Sequence, residues 1–101
     1  MALTLVLDGS SDLQIGDFCS IGAGVQIYTH NIVKWSTSLG AEEHERAPTR
    51  IGNGVFIGPN SLTEMGVTIG DRAVVGTMSF VNRDVPEGAR FAGEGSLEAM
   101  T

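Results

Sequence analysis

Residues 51–86 decide the fold, because they divide without remainder into the six hexapeptides IGNGVF, IGPNSL, TEMGVT, IGDRAV, VGTMSF and VNRDVP. The frame extends to earlier residues. Isoleucine or valine stands at eight positions separated by multiples of six: Ile15, Ile21, Ile27, Ile51, Ile57, Ile69, Val75 and Val81. A period of six fits neither an α-helix, with a period of about 3.6, nor a sandwich strand followed by regularly spaced turns. It is typical of a coil in which each hexapeptide forms one flat side and one corner.

Each position of the frame predicts a place in this coil. The branched anchor fills the interior, and the small residue four positions later, such as Cys19, Val55 or Ala73, also faces inward. Glycine directly follows six of the eight anchors, at Gly16, Gly22, Gly52, Gly58, Gly70 and Gly76. We expect these glycines to supply the backbone conformation that each turn needs.

The frame also predicts the organisation of a single domain over residues 1–101. Residues 1–14 keep a weak apolar pattern and are expected to form a partial coil, as terminal repeats often do. Residues 33–50 are mostly polar and charged, so we expect a loop that projects from a corner; a degenerate coil of 18 residues is the alternative. After Pro86 the period is lost, and residues 87–101 are expected to form a cap or tail.

Composition excludes several classes of function. The chain has 6 basic and 12 acidic residues and a net charge of −6, which argues against general binding to nucleic acid or anionic membranes. A single cysteine rules out an internal disulfide framework, and neither a membrane span nor a signal peptide is recognisable. These features predict a cytoplasmic protein.

The predicted coil has consequences for assembly. Three hexapeptides make one coil, and successive coils stack at the strand spacing of about 4.8 Å. Three to four coils give a short prism with exposed strand edges and a small core. We therefore expect self-association with closed cyclic symmetry.

The motifs of residues 15–93 resemble those of the hexapeptide-repeat acyltransferases. The run IYTH, a polar loop that ends in APTRIG, and then IGNGVFIGPN, GVTIGDRAVVG and SFVNRDVP are similar to the sugar O-acetyltransferase branch. This resemblance implies an all-β fold, a left-handed parallel β-helix. It also implies a homotrimer with active sites between neighbouring prisms. There an acetyl group would pass from acetyl-coenzyme A to a hydroxyl or amine of a sugar-like acceptor.

The resemblance places the catalytic histidine at His30, just before the predicted loop. An imidazole has an unperturbed pKa of about 6.5 and can take a proton from a substrate hydroxyl near neutral pH. The alkoxide that develops would attack the thioester carbonyl, and backbone N–H groups or similar donors would stabilise the tetrahedral oxyanion.

The resemblance also implies the remaining site residues. Five positions match the segments that line the coenzyme cleft: Gly58, Thr77, Ser79, Asn82 and Arg83. Trp35 is a candidate to stack on a sugar or an adenine, or to anchor the loop on a neighbouring chain. His44, within AEEHER, is a candidate substrate contact, although such a residue is more often simply solvated.

The residue types argue against two other kinds of chemistry. Two histidines 14 positions apart, with no third, make a poor zinc site, so we expect no metal and disfavour a carbonic anhydrase activity. Cys19 occupies an inward position, where a buried thiol is inert.

Two departures from the related enzymes leave an alternative function open. Gly93–Ser96 replaces a Gly-Asn-Pro-Ala block, and Thr77–Met78 replaces a pair of small residues beside the pantetheine arm. The alternative is a non-catalytic trimeric β-helix that serves as a binding or scaffold protein.

Overall fold

The computed structural model describes residues 6–7, 12–31, 33–43, 45–93 and 96–99. These residues form one short helix, α1 (Val33–Thr37), and fourteen short strands. The strands are β1 (Val6–Leu7), β2 (Leu13–Ile15), β3 (Ser20–Ile21), β4 (Gln26–Ile27), β5 (His30–Asn31), β6 (Glu45–Arg46), β7 (Thr49–Ile51), β8 (Phe56–Ile57), β9 (Leu62–Thr63), β10 (Thr68–Ile69), β11 (Val74–Val75), β12 (Phe80–Val81), β13 (Ala89–Ala92) and β14 (Ser96–Ala99).

Three parallel sheets form the three sides of a prism. Face A contains β1, β4, β9 and β12; face B contains β2, β7 and β10; and face C contains β3, β8, β11 and β13. The chain passes through faces B, C and A in turn, so it has three corners, which we name B–C, C–A and A–B. This topology is a parallel β-helix, as the six-residue period predicts.

The interior contains the residues that the frame predicts. Six of the eight anchors are fully or almost fully buried: Ile27, Ile51, Ile57, Ile69, Val75 and Val81. Ile15 and Ile21, at one end of the stack, are partly buried against the same core. The positions four residues after an anchor are buried as well, with Val25, Val55 and Val67 as examples.

The glycines that follow the anchors act differently from our expectation. The positive φ of these turns occurs three residues after a frame position, at Gly24, Gly54 and Gly66 but also at Phe18, Asn60, Arg72 and Met78. The glycine after the anchor is needed because adjacent coils approach closely: a Cβ on Gly70 would lie 2.5 Å from the amide nitrogen of Glu87. The prediction that these glycines set the turn conformation was therefore wrong.

Strand register identifies residues 33–50 as part of a projecting segment. Leu13 pairs with Thr49, a step of 36 residues, whereas Arg50 pairs with Thr68, a step of 18. One coil therefore carries 18 additional residues, and the degenerate-coil alternative is wrong. The projecting segment begins earlier than expected, since β5 (His30–Asn31) pairs antiparallel with β6 at its base, and it ends where β7 begins at Thr49.

The chain after Pro86, which was expected to form a cap or tail, forms a further layer of the prism and a returning strand. Strand β13 pairs parallel with β11, with Val75 opposite Phe91, and the Phe91 side chain is fully buried. The sequence frame misses this layer because its register step is 16 residues rather than 18, with Val74 opposite Arg90. Strand β14 then turns back to pair antiparallel with β13.

Candidate active site at the base of the loop

His30 lies where the chain leaves corner A–B to form the projecting segment. It is the first residue of β5, opposite Arg46 of β6, and its side chain is partly exposed. The Tyr28 ring meets the imidazole edge-on, with ring centroids 6.2 Å apart and an interplanar angle of 74°. The Tyr28 hydroxyl in turn donates a hydrogen bond to Oε1 of Gln26, at 2.6 Å. The imidazole is thus flanked by an oriented aromatic ring and remains accessible to a ligand.

Backbone and side-chain hydrogen bonds tie the two ends of the projecting segment together. The Ala47 amide donates to the Thr29 carbonyl at 3.0 Å. The fully buried Thr49 donates its hydroxyl to the Tyr28 carbonyl at 2.7 Å and accepts from the Gly66 amide at 3.1 Å. Sequence reasoning missed Tyr28 and Thr49. The frame offered one signal, because position 49 is an inward position two residues before the anchor Ile51.

The projecting segment carries Trp35 on α1. Trp35 is 47% exposed, and its backbone carbonyl accepts a hydrogen bond from the Gly40 amide at 2.7 Å. A Cβ on Gly40 would lie 3.7 Å from the indole ring, so the turn after α1 packs against this ring. His44 lies outside the described residues.

The coenzyme candidates occupy the two corners that border face A. Gly58 and Thr77 lie on adjacent coils at corner C–A, where a Cβ on Gly58 would come within 2.6 Å of the Thr77 amide nitrogen. Asn82 and Arg83 are exposed at corner A–B, directly after β12. Among the residues whose side chains the structure describes, the outward ones of face A between these corners are Gln26, Leu62 and Phe80.

The Ser79 hydroxyl lies inside the prism. Ser79 is buried, and its Oγ donates to the Gly76 carbonyl at 2.8 Å and accepts from the Gly93 amide at 3.1 Å. Its hydroxyl therefore serves the stacking of two coils and is not presented to a ligand. A coenzyme contact at Ser79 therefore could not use the hydroxyl, because the position four residues after an anchor faces the core.

Arg83 is held against the last buried layer. Its Cζ atom lies 6.0 Å from the centroid of the Phe91 ring, within the range of a cation–π contact. The other arginines near this end point elsewhere: Arg72 pairs with Glu87 at corner B–C, and Arg90 is exposed on face C. Of these three arginines, Arg83 is the one that borders face A.

Two further features bear on the chemistry. Cys19 is partly buried and its Sγ contacts the Gly52 carbonyl at 3.1 Å, a structural position. Among the described residues, no three His, Cys, Asp or Glu side chains are grouped as metal ligands, and no helix is long and apolar enough to cross a membrane.

The candidate site is an elongated surface with the imidazole of His30, the candidate general base, at one end. His30 and Arg83 share corner A–B but lie two coils apart, which corresponds to about 10 Å along the prism axis. Gly58 and Thr77 are separated from them by the width of face A. A long ligand stretched over face A could therefore contact both corners, whereas a small ligand could not.

The comparisons with known proteins agree with this fold. The family model described as the hexapeptide repeat of succinyl-transferase matches residues 48–83. A chloramphenicol acetyltransferase of Agrobacterium fabrum is 33% identical over 96 residues, covering 77% of this chain and 46% of that protein. The galactoside O-acetyltransferase of Escherichia coli is 46% identical over 46 residues, covering 46% of this chain and 23% of that protein.

Solved structures show the same architecture. A hexapeptide-repeat acetyltransferase of Vibrio cholerae, complexed with acetyl-coenzyme A, aligns with a TM-score of 0.73 and 38% identity, covering 80% of this chain and 44% of that one. A galactoside acetyltransferase in complex with coenzyme A aligns with a TM-score of 0.75 and 34% identity, covering 90% and 44%.

The chain spans less than half the length of the chloramphenicol acetyltransferases that it matches. The hexapeptide-repeat fold of its structural neighbours implies that the β-helix is left-handed. The six-residue frame, the three parallel sheets and these relatives together show that the chain belongs to the hexapeptide-repeat acyltransferase superfamily and is similar to its sugar O-acetyltransferase branch.

Proposed function

We propose that this left-handed β-helix, of three to four coils, transfers an acetyl group from acetyl-coenzyme A to a hydroxyl or amine of a sugar-like acceptor. The observation that carries the proposal is the position of His30, a partly exposed imidazole at the base of the segment that projects from the prism. The acetyltransferase relatives, some solved with acetyl-coenzyme A or coenzyme A, support it.

In the proposed reaction His30 is the general base. The imidazole takes the proton of the acceptor hydroxyl as its oxygen attacks the thioester carbonyl. The tetrahedral oxyanion then collapses, the C–S bond breaks, and coenzyme A leaves as a thiolate that takes up a proton. We assign to the edge-on Tyr28 ring the role of orienting the imidazole, since a fixed orientation is a large part of what a positioned catalytic group contributes.

We assign the coenzyme to face A and its two corners. Arg83, oriented by the Phe91 ring, and Asn82 offer a cation and an amide to phosphate groups at corner A–B. Gly58 and Thr77 are the coenzyme contacts proposed at corner C–A, where Gly58 packs closely against the Thr77 backbone. Between the corners the long coenzyme would lie in a cleft between face A and a neighbouring subunit, and the 38% exposed Phe80 would contact both.

The proposed assembly is a cytoplasmic homotrimer with sites between subunits. Faces A and C carry outward apolar side chains, Leu62 and Phe80 on one and Phe56 and Val74 on the other. Face B carries Gln14, Arg50 and Thr68 instead. Contact between prisms would cover the apolar sides and leave face B in solvent. Trp35 and His44, on the projecting segment, are proposed to contact the acceptor.

Thermal melting with acetyl-coenzyme A tests the binding step. A ligand that binds the folded state at a hundred times its Kd adds about 2.7 kcal/mol, which raises the Tm by several degrees. Arg83→Ala should reduce this shift, whereas Thr68→Ala, an exposed change on face B, should retain it. Absence of any shift at millimolar acetyl-coenzyme A would refute the transferase proposal.

One residue supports a second candidate, the non-catalytic scaffold. Met78 is 73% exposed at corner C–A with a φ of 56°, beside Thr77. A flexible apolar side chain at this corner could block the coenzyme that we assign there. The scaffold predicts a trimer with no acetyl-coenzyme A shift, and Met78→Gly would then restore binding.

A further inference from the structure

Within the described ranges, the interior of the prism contains three threonines close to corner A–B. Thr29, Thr49 and Thr63 are all fully buried. A buried hydroxyl that lacks a hydrogen-bond partner is costly, so each needs a structural explanation. Thr49 stands at the frame position that Val25, Val55, Val67 and Val85 occupy in other hexapeptides. Valine is thus compatible with this place in the coil, and packing alone does not require a hydroxyl there.

The hydroxyl of Thr49 joins three parts of the chain. It donates to the Tyr28 carbonyl at 2.7 Å, two residues before His30, and accepts from the Gly66 amide at 3.1 Å in the next coil. The Tyr28 amide donates to the Thr63 carbonyl at 3.0 Å. The residues before and after the projecting segment are thereby fixed to each other and to the coil above.

The returning end of the segment is fitted closely to the same coil. Gly66 has a φ of 76°, and a Cβ at this position would lie 3.1 Å from Cβ of Ala47. Ala47 in turn donates its amide to the Thr29 carbonyl. The backbone around His30 is therefore held at short range, and among the residues that the structure describes the Thr49 hydroxyl bonds both Tyr28 and Gly66.

The geometry points to Thr49 as a positioning residue for His30. This inference rests on the proposed function. Thr49 does not contact a substrate; its hydroxyl fixes the backbone of Tyr28 and so the place of both the Tyr28 ring and the imidazole that it flanks. Small displacements of a catalytic group lower the rate strongly even when the fold is intact.

Thr49→Val removes the hydroxyl at nearly constant volume, and two variants control for it. Thr49→Ser keeps the hydroxyl. Thr63→Val removes another fully buried hydroxyl, one with no hydrogen-bond partner in the described part of the chain, so it should break no such bond. Each full-length variant is compared with wild type by amide hydrogen exchange at Ala47 and Gly66, and by the kcat and KM of acetyl transfer from acetyl-coenzyme A to the best acceptor of a sugar panel.

We expect Thr49→Val to speed exchange at both amides by about tenfold and to lower kcat by roughly ten- to a hundredfold, with the KM for acetyl-coenzyme A within about twofold. Thr49→Ser should recover most of the kcat, and Thr63→Val should behave as wild type. Unchanged exchange or unchanged kcat in Thr49→Val overturns the inference, as does an equal loss in Thr63→Val.

The same experiment separates this inference from the proposed function. If wild type transfers acetyl to no acceptor and its melting temperature does not respond to acetyl-coenzyme A, the proposed function fails, and a positioning role in that reaction fails with it. If wild type is active and Thr49→Val keeps its kcat, the proposed function stands and the Thr49 inference alone is overturned.

Discussion

At the scale of single residues, the glycines show how one sequence signal can have two physical causes. Five of the six glycines that follow an anchor lack a side chain because the next coil passes very close, Gly76 being the exception. The positive φ three residues after the frame position is adopted by glycine, asparagine and larger residues alike. Periodicity in a sequence identifies positions but carries no information on distances between coils. The position of these glycines could therefore be predicted, and their role could not.

Gly70 and Gly76 allow a direct test of this close approach. A Cβ on Gly70 would lie 2.5 Å from a backbone nitrogen, whereas the nearest atom to a Cβ on Gly76 is 3.6 Å away. We expect Gly70→Ala to lower the free energy of unfolding by about 1–3 kcal/mol through overpacking. Gly76→Ala should be neutral or stabilise by up to about 1 kcal/mol, since it restricts the unfolded chain. Urea denaturation measures both, and equal effects would contradict the explanation.

At the scale of structural elements, corner B–C is held by a ladder of side-chain acceptors. The Asp17 amide donates to Oδ1 of Asn53 at 2.8 Å, and the Asn53 amide donates to Oδ1 of Asp71 at 2.8 Å. The Arg72 amide also donates to the Asn53 carbonyl, at 2.8 Å. Successive turns are thus linked by side chains as well as by backbone, at a corner away from the candidate site.

Substitutions of Asp71 test the ladder. Asp71→Ala removes the acceptor of the Asn53 amide and should cost about 1 kcal/mol of stability. Asp71→Asn retains an oxygen in the same place and should cost much less. The comparison is made by thermal and urea unfolding. Similar losses in the two variants would show that the charge of Asp71, and not its acceptor geometry, stabilises this corner.

The projecting segment gives a sharper test at the same scale. Excision of residues 31–48, with His30→Gly to supply the positive φ that Gly66 has in the next coil, restores the 18-residue step. We expect this variant to fold, because every anchor keeps its frame. Excision of 32–48 with the same glycine leaves one extra residue in this turn and should lower the melting temperature, because the turn then no longer matches the one in the next coil. Circular dichroism melts compare the two, and equal stability would contradict the register.

At the scale of the whole molecule, the uneven distribution of apolar side chains predicts assembly. We expect the wild type to sediment as a trimer at micromolar concentration. Phe80→Glu places a charge on face A and should yield monomers, whereas Thr68→Glu on face B should leave the trimer intact. A stable wild-type monomer, or dissociation by Thr68→Glu alone, would contradict this assignment of faces.

The sequence predicted the coil well and its interruptions less well. Each anchor such as Ile57 sits in a regular environment, so spacing alone predicts its burial. The burial of Phe91 could not be predicted in this way, because a 16-residue register step places it off the six-residue frame although its side chain fills the core. The roles of Thr49 and Tyr28 could not be predicted for another reason. They depend on hydrogen bonds that join Thr49 to Gly66 and to Tyr28, which lie 17 and 21 positions away in the chain, around the segment that interrupts the period.

The rate of acetyl transfer by His30→Ala tests the central proposal most directly. With acetyl-coenzyme A and the best sugar-like acceptor, this variant should lose about a hundredfold or more of the wild-type kcat, the contribution expected of a general base. It should keep the wild-type melting shift with acetyl-coenzyme A, and His44→Ala should remain active. Wild-type turnover by His30→Ala, or a loss confined to His44→Ala, would contradict the assignment of His30 as the base.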